Sequence, residues 1–267
     1  MVLDALINNA VILLGVVLIL WVISVRINDV SFIDAFWGAG MALMAFVSWL
    51  QLAEKGPLAT LLMGMTIAWG LRLGIYLFRR WRHEGEDKRY ERILRKDREK
   101  GNFAFAALVK VWLMQAVLLF MVSSPAQYGI LEAGGSEPIS GLALVGFAIY
   151  AIGIFFEWVG DWQLSRFKAD PANEGKVLDT GLWRYTRHPN YFGDACAWWG
   201  IWLVTASAGW EWALYTVAGP IFLTFTLTKW SGAALLESGM KKKRGDKYAD
   251  YIARTSAFIP MPPKARG

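Results

Sequence analysis

Apolar runs of membrane-spanning length recur along the chain, separated by short polar or basic stretches. They fall at 6–25, 32–52, 57–78, 103–123, 139–162, 191–208 and 211–229. A helix rises about 1.5 Å per residue, so roughly 20 apolar residues cross a hydrocarbon layer about 30 Å thick. Lipid offers no partner to backbone amides, so such runs predict helices. The pattern predicts an all-α integral membrane protein, a seven-transmembrane helix bundle forming a single domain over 1–267. The fifth and sixth runs carry polar residues at their ends, which leaves a partly re-entrant path open. Almost no charge precedes the first run and no small-residue cleavage site follows it, as in a retained helix.

Charge orients this pattern. With seven spans, the loops at 26–31, 79–102 and 165–190 and the tail after 229 share one side, which, with Lys229 at its edge, then holds 25 of the 28 Lys and Arg residues. The positive-inside rule places the N-terminus outside and the C-terminus in the cytoplasm, in the inner membrane if the source is bacterial. Only 19% of residues are charged against about 25% in a soluble domain. The net charge of +6 comes without a nucleic-acid-binding motif, and blocks such as Lys241-Lys242-Lys243-Arg244 follow a span directly. There they suit anionic lipid headgroups, not nucleic acid. One cysteine excludes an internal disulfide, and with only two histidines no metal site is expected.

Polar side chains within apolar runs are costly, and so mark candidate sites. Asp34 opens the second run. Trp69, Arg72 and Tyr76 share one face of the third, being three and four residues apart. Glu157 and Asp161 are four apart in FFEWVGDWQ, so both carboxylates point the same way. Structural ion pairs, Asp34 or Glu157 with Arg72, are the plainer reading. Beyond Glu157 and Asp161 the chain continues with Arg166 and Lys168, then with Arg184, Arg187, His188, Asn190, Tyr191 and Asp194 in GLWRYTRHPNYFGD. The tail adds Glu237, Arg244, Tyr248 and Tyr251. Arginine grips phosphate through paired donors, while carboxylates and Asn suit ribose hydroxyls and a carboxamide. A large nucleotide cofactor would satisfy the collection. No Gly-rich strand–helix turn is present, so helices and loops would have to bind it. The GEDKRY segment either caps such a cavity through ion pairs or is a solvated connection. Cys196 reads as packing.

GLWRYTRHPNYFGD, with FFEWVGDWQLSRF before it and KYADYIARTSAFIP near the end, resembles the steroid 5-alpha-reductase C-terminal-domain family of membrane reductases, and within it a bacterial branch. The resemblance covers nearly the full chain, with 139–267 the most diagnostic, cofactor-binding portion. It implies NADPH as cofactor, and hydride delivery to a carbon–carbon double bond conjugated to a carbonyl in a steroid-like or other apolar lipid substrate. Carried over, Glu157, Asp161, Asn190 and Asp194 fall at cofactor contacts. Arg166, Lys168, Arg184, Arg187, His188, Tyr191, Arg244, Tyr248 and Tyr251 fall around the cofactor's phosphates and rings. Asp34 takes the place of an intramembrane Glu that polarises the substrate oxygen, and Trp69 that of a Tyr. Tryptophan has no phenolic proton, so either Tyr76 or another donor replaces it, or the substrate is not a 4-ene-3-oxosteroid. The R-H-P-N-Y element also occurs in membrane methyltransferases. An S-adenosylmethionine-dependent methyltransferase is therefore the alternative enzyme, and a lipid-binding or transport bundle the non-enzymatic one.

Overall fold

A computed structural model describes residues 2–133, 138–230 and 232–264. Along the chain run α1 (Val2–Ile27), α2 (Ile33–Leu50), α3 (Pro57–Glu84), α4 (Lys88–Glu99), α5 (Phe103–Ala107), a π-helical stretch (Leu108–Leu113), α6 (Met114–Val122) and α7 (Ser124–Ala133). Then come α8 (Gly141–Ala169), α9 (Pro189–Ala206), α10 (Trp210–Thr216), α11 (Ala218–Phe225), a second π-helical stretch (Thr226–Trp230), α12 (Ala233–Arg244) and α13 (Asp246–Arg254). The fold is all-α. Among the described residues the extended backbone makes one isolated bridge, Thr186 to Ser256.

The expectation of seven membrane spans is corrected. Among the described residues, five helices are long and apolar enough to cross a membrane: Val2–Ile27, Ile33–Leu50, Pro57–Glu84, Phe103–Val122 and Gly141–Ala169. The sixth apolar run begins two residues into α9, whose first turns hold Asn190, Tyr191 and Asp194. The seventh breaks into α10 of 7 residues, α11 of 8 and a π-helical stretch of 5. None of those pieces spans a bilayer alone. The placement of the N-terminus outside and the C-terminus in the cytoplasm rested on the count of seven and falls with it. The helices that remain still make a bundle rich in apolar surface, as a membrane protein requires: Leu3, Ile7, Val11 and Ile19 on α1 are all more than half exposed.

The chain divides into two units, 1–143 with 201–219, and 144–200 with 220–267. In the first, α2 and α3 pack backbone to backbone. A Cβ on Gly38 would collide with the Gly70 carbonyl, one on Gly70 with the Gly38 carbonyl, and one on Gly74 would lie 3.0 Å from the Ala35 carbonyl. Small residues at such crossings are how apolar helices associate when lipid removes the hydrophobic incentive. Pro57 starts α3, where its missing N–H costs nothing, and Gly85 at φ +76° stops it.

In the second unit glycines recur every seventh residue, at 146, 153 and 160 on α8 and at 193 and 200 on α9. A Cβ on Gly153 would come within 2.5 Å of the Ala197 amide and the Gly193 carbonyl. One on Gly200 would lie 2.6 Å from the Gly146 carbonyl and the Tyr150 amide. Only hydrogen fits there. Past α13 the chain returns along 183–188: Arg187 N–H donates to the Ser256 carbonyl at 2.9 Å, and Met261 N–H to the Tyr185 carbonyl at 3.0 Å.

Candidate functional site

The glycine seam of the second unit determines what stands beside it. Gly160 lets Pro189 and the Asn190 amide approach α8; a Cβ there would meet them at 3.1–3.2 Å. Asn190 Nδ2 consequently reaches Asp161 and donates to its Oδ1 at 3.0 Å. Glu157, one turn earlier on α8, packs against Gly193 and is 2% exposed; Asp161 is 4% exposed. Asp194 lies one turn beyond Asn190 and is half-buried. The Asn190 side-chain carbonyl is buried and accepts no hydrogen bond among the described residues. Burying a polar oxygen without a donor costs about 1–3 kcal/mol, which makes this atom a candidate acceptor.

Arg187 and His188 have a different setting. Arg187 Nε donates to Glu237 Oε1 at 2.8 Å, and His188 Nε2 lies 3.0 Å from the same oxygen. Arg187 Nη1 also donates to the Thr255 carbonyl at 2.6 Å. Burial alone would raise the Glu237 pKa, but His188 and Arg187 hold it down to about 2. Tyr191 stacks on the His188 ring, centroids 5.4 Å apart and planes 8° from parallel. Tyr251 donates to the Trp183 carbonyl at 2.5 Å. Its ring and that of Tyr248 are buried, and burial pushes the Tyr248 phenol up to about 12 and Tyr251 further. Arg187, His188, Tyr248 and Tyr251 thus fasten the 183–188 loop to the chain's last helices.

Three cations expected near phosphates stand at the surface. Arg166 lies over the Trp162 ring at 5.2 Å, Lys168 is exposed, and Arg184 lines an open cleft of about 480 Å³ with Arg254 and Lys264. Arg244 is half-buried on α12.

The first unit holds Asp34, Trp69 and Tyr76. Trp69 is fully buried, and the Arg72 guanidinium lies 5.3 Å from the Tyr76 ring. Asp34 is engaged from α4: Arg89 Nη2 donates to Oδ2 at 2.5 Å, and the Tyr90 phenol to Oδ1 at 2.6 Å. Asp87 caps α4 through the Arg89 amide at 2.8 Å and also accepts from the Arg89 guanidinium. Burial works against the Asp87 carboxylate, yet those Arg89 contacts hold its pKa below the ordinary value. Burial, then Asp34, pushes the Tyr90 phenol well above the usual range, so it keeps its proton. The GEDKRY segment is thus ion-paired and hydrogen-bonded to the start of α2. Tyr90 was not singled out from the sequence as a partner of Asp34, and Glu237 not as a partner of Arg187. Amphipathic spacing around Tyr90 and Leu94, the two buried residues of α4, carried the only hint of the first.

Comparison with known proteins bears on this arrangement. The family model described as "Protein of unknown function (DUF1295)" matches residues 20–255. A stretch of 78 residues is 37% identical to the "Probable O-methyltransferase ustE" of Ustilaginoidea virens, covering 29% of this chain and 27% of that protein. Over 274 aligned residues the chain is 20% identical to "Uncharacterized protein C594.04c" of Schizosaccharomyces pombe, covering 91% of this chain and 76% of that protein. No solved structure matches the chain.

Proposed function

The chain belongs to the DUF1295 family, and we propose that it is a membrane-embedded NADPH-dependent reductase of an activated carbon–carbon double bond in a lipid-like substrate. The observation that carries this reading is the buried acidic and amide group at the α8–α9 seam. Glu157 and Asp161 offer acceptors to ribose hydroxyls, and the open Asn190 carbonyl offers one to a carboxamide N–H. Arg184, beside Arg254 and Lys264, offers donors to a phosphate. Arg187 and His188, committed to Glu237, position the loop that carries Asn190.

When bound, the nicotinamide cofactor supplies the hydride. In the first unit, Tyr90 Oη bears a proton and Asp34 orients it, with Arg89 fixing the carboxylate. Turned from Asp34 to a substrate carbonyl, that O–H would stabilise oxygen charge as it develops there. Tyr76 on α3 is the second candidate phenol for the same role.

A methyltransferase using S-adenosylmethionine is the second reading, favoured by the stretch shared with the "Probable O-methyltransferase". The same carboxylates would take its ribose. Titrating NADPH, NADH and S-adenosylmethionine into detergent-purified protein separates the two. NADPH is expected to bind more tightly than NADH, and Asp161→Ala or Asn190→Ala to weaken it more than tenfold, since losing a buried charged partner costs about 2–5 kcal/mol. Binding of S-adenosylmethionine alone would install the second reading; binding of none of the three would remove both.

A further inference from the structure

At the opposite end of α2 from Asp34, the first unit contains a file of amides inside apolar helices. Asn9, Ser48, Gln127 and Ser123 are fully buried there. The direction of every hydrogen bond in the file follows from its inner ends. The Ser48 hydroxyl donates to the Met44 carbonyl at 2.8 Å and the Ser123 hydroxyl to the Leu119 carbonyl at 2.8 Å, so both serine oxygens are left as acceptors. Asn9 Nδ2 therefore donates to Ser48 at 2.7 Å and to Gln127 Oε1 at 2.9 Å. Gln127 Nε2 donates to Ser123 at 2.8 Å and to the Phe120 carbonyl at 3.1 Å. Asn9 has only Oδ1 left, and it accepts from Gln51 Nε2 at 2.9 Å. Gln51 Oε1 in turn accepts from Asn8 Nδ2 at 3.1 Å.

The file runs one way and ends on Asn8. A primary amide has two N–H donors and a carbonyl acceptor. One Asn8 donor is used; Oδ1 and the other N–H have no partner among the described residues. Asn8 cannot flip to exchange its oxygen for its nitrogen, because Gln51 Oε1 requires a donor. This fixed edge opens on a cleft of about 380 Å³ lined by Asn8, Val11, Ile12, Val47, Leu50 and Gln51. Four of those six side chains are aliphatic and none is charged.

We propose that this cleft binds the head of a neutral, long-chain lipid alcohol, with its hydroxyl donating to Asn8 Oδ1 and its chain lying along Val11, Ile12, Val47 and Leu50. A hydroxyl both donates and accepts, and so meets the two open functions of the Asn8 edge. An ether oxygen can accept from the open N–H but leaves Oδ1 without a donor. A charged head finds no counter-ion among the lining residues and would lose its solvation. The site is separate from the α8–α9 seam and does not depend on the reductase reading.

The test uses the full chain in phosphatidylcholine nanodiscs with a photoactivatable diazirine octadecanol, read by mass spectrometry of labelled peptides. Labelling is expected on α1 and α2 around Val11 to Ile12 and Val47 to Leu50. Octadecanol is expected to compete about tenfold better than octadecyl methyl ether, as the loss of one hydrogen bond beneath a bound lipid implies. Asn8→Leu should abolish that preference. Ile12→Trp, which fills the cleft without touching the amides, should abolish the labelling. Equal competition by alcohol and ether, or a preference that survives Asn8→Leu, overturns the proposal. So does specific disulfide cross-linking of Ile12→Cys between two copies at the expense of labelling, which would assign the groove to a second chain.

Discussion

The Tyr90 phenol donates to Asp34 across 55 intervening residues, at 2.6 Å, while Arg89 holds the other carboxylate oxygen. The two donors leave α4 in adjacent positions and grip one acid between them. This bond ties a basic amphipathic helix to the first turn of α2.

The three groups should behave thermodynamically as one. Tyr90→Phe and Asp34→Asn are each expected to lower stability by about 1–2 kcal/mol, and the double variant by less than their sum. Thermal melts of the four proteins in one detergent check this. Strictly additive losses would mean that the bond contributes nothing.

The α8–α9 seam predicts a steep size limit. Gly153→Val and Gly193→Val drive methyl groups into facing backbone, which cannot give way as a side chain can. Each is expected to cost more than the roughly 1–3 kcal/mol of ordinary overpacking and to leave little monodisperse protein on size exclusion. Gly239→Ala, with nothing within 4 Å of its Cβ, should elute as the parent does.

Glu237 sets an acid limit. Its pKa is about 2 when folded, against an ordinary value of 4.5, so its pairing with Arg187 and His188 is fully felt above pH 4.5. That contribution fades as the pH falls from 4.5 towards 2. Glu237→Gln should cost about 2 kcal/mol at neutral pH and should flatten the decline in melting temperature over that interval. An unchanged slope would show that the decline comes from other carboxylates.

Under the reductase reading, Asp34→Asn should lower turnover of a substrate found by lipid-extract screening by about 10²–10³ while NADPH affinity holds. Tyr90→Phe should follow it, and Tyr76→Phe less so. Normal turnover in all three would leave these residues as scaffold.

Five of the seven apolar runs were legible as spans because each keeps its apolar character over a bilayer's thickness. The last two misled because hydrophobicity was counted without regard to where it breaks. Asp194 in α9 and Pro220 within α11 lie in runs that are apolar on average. The pairing of Glu157 with Asp161 on one helix face followed from four-residue spacing, a local relation. The meeting of Asp161 with Asn190 depends on Gly160, and a glycine's value lies in what approaches it, which spacing within one helix does not reveal. The same holds for Asp34, whose partners come from a different helix, and for Arg187, 50 residues from Glu237.

The return of the chain along 183–188 also has a temporal meaning. Thr186 awaits a carbonyl 72 residues further on, and Arg187 one 68 residues further on. At about 5–20 residues per second, a ribosome delivers those partners roughly 4–14 s after the loop itself. Until residues 237 and 255 emerge, the Arg187 guanidinium lacks Glu237 and the Thr255 carbonyl, and the His188 ring lacks Glu237. A nascent chain arrested before residue 237 should therefore carry this loop exposed to protease, and one extended past 261 should not.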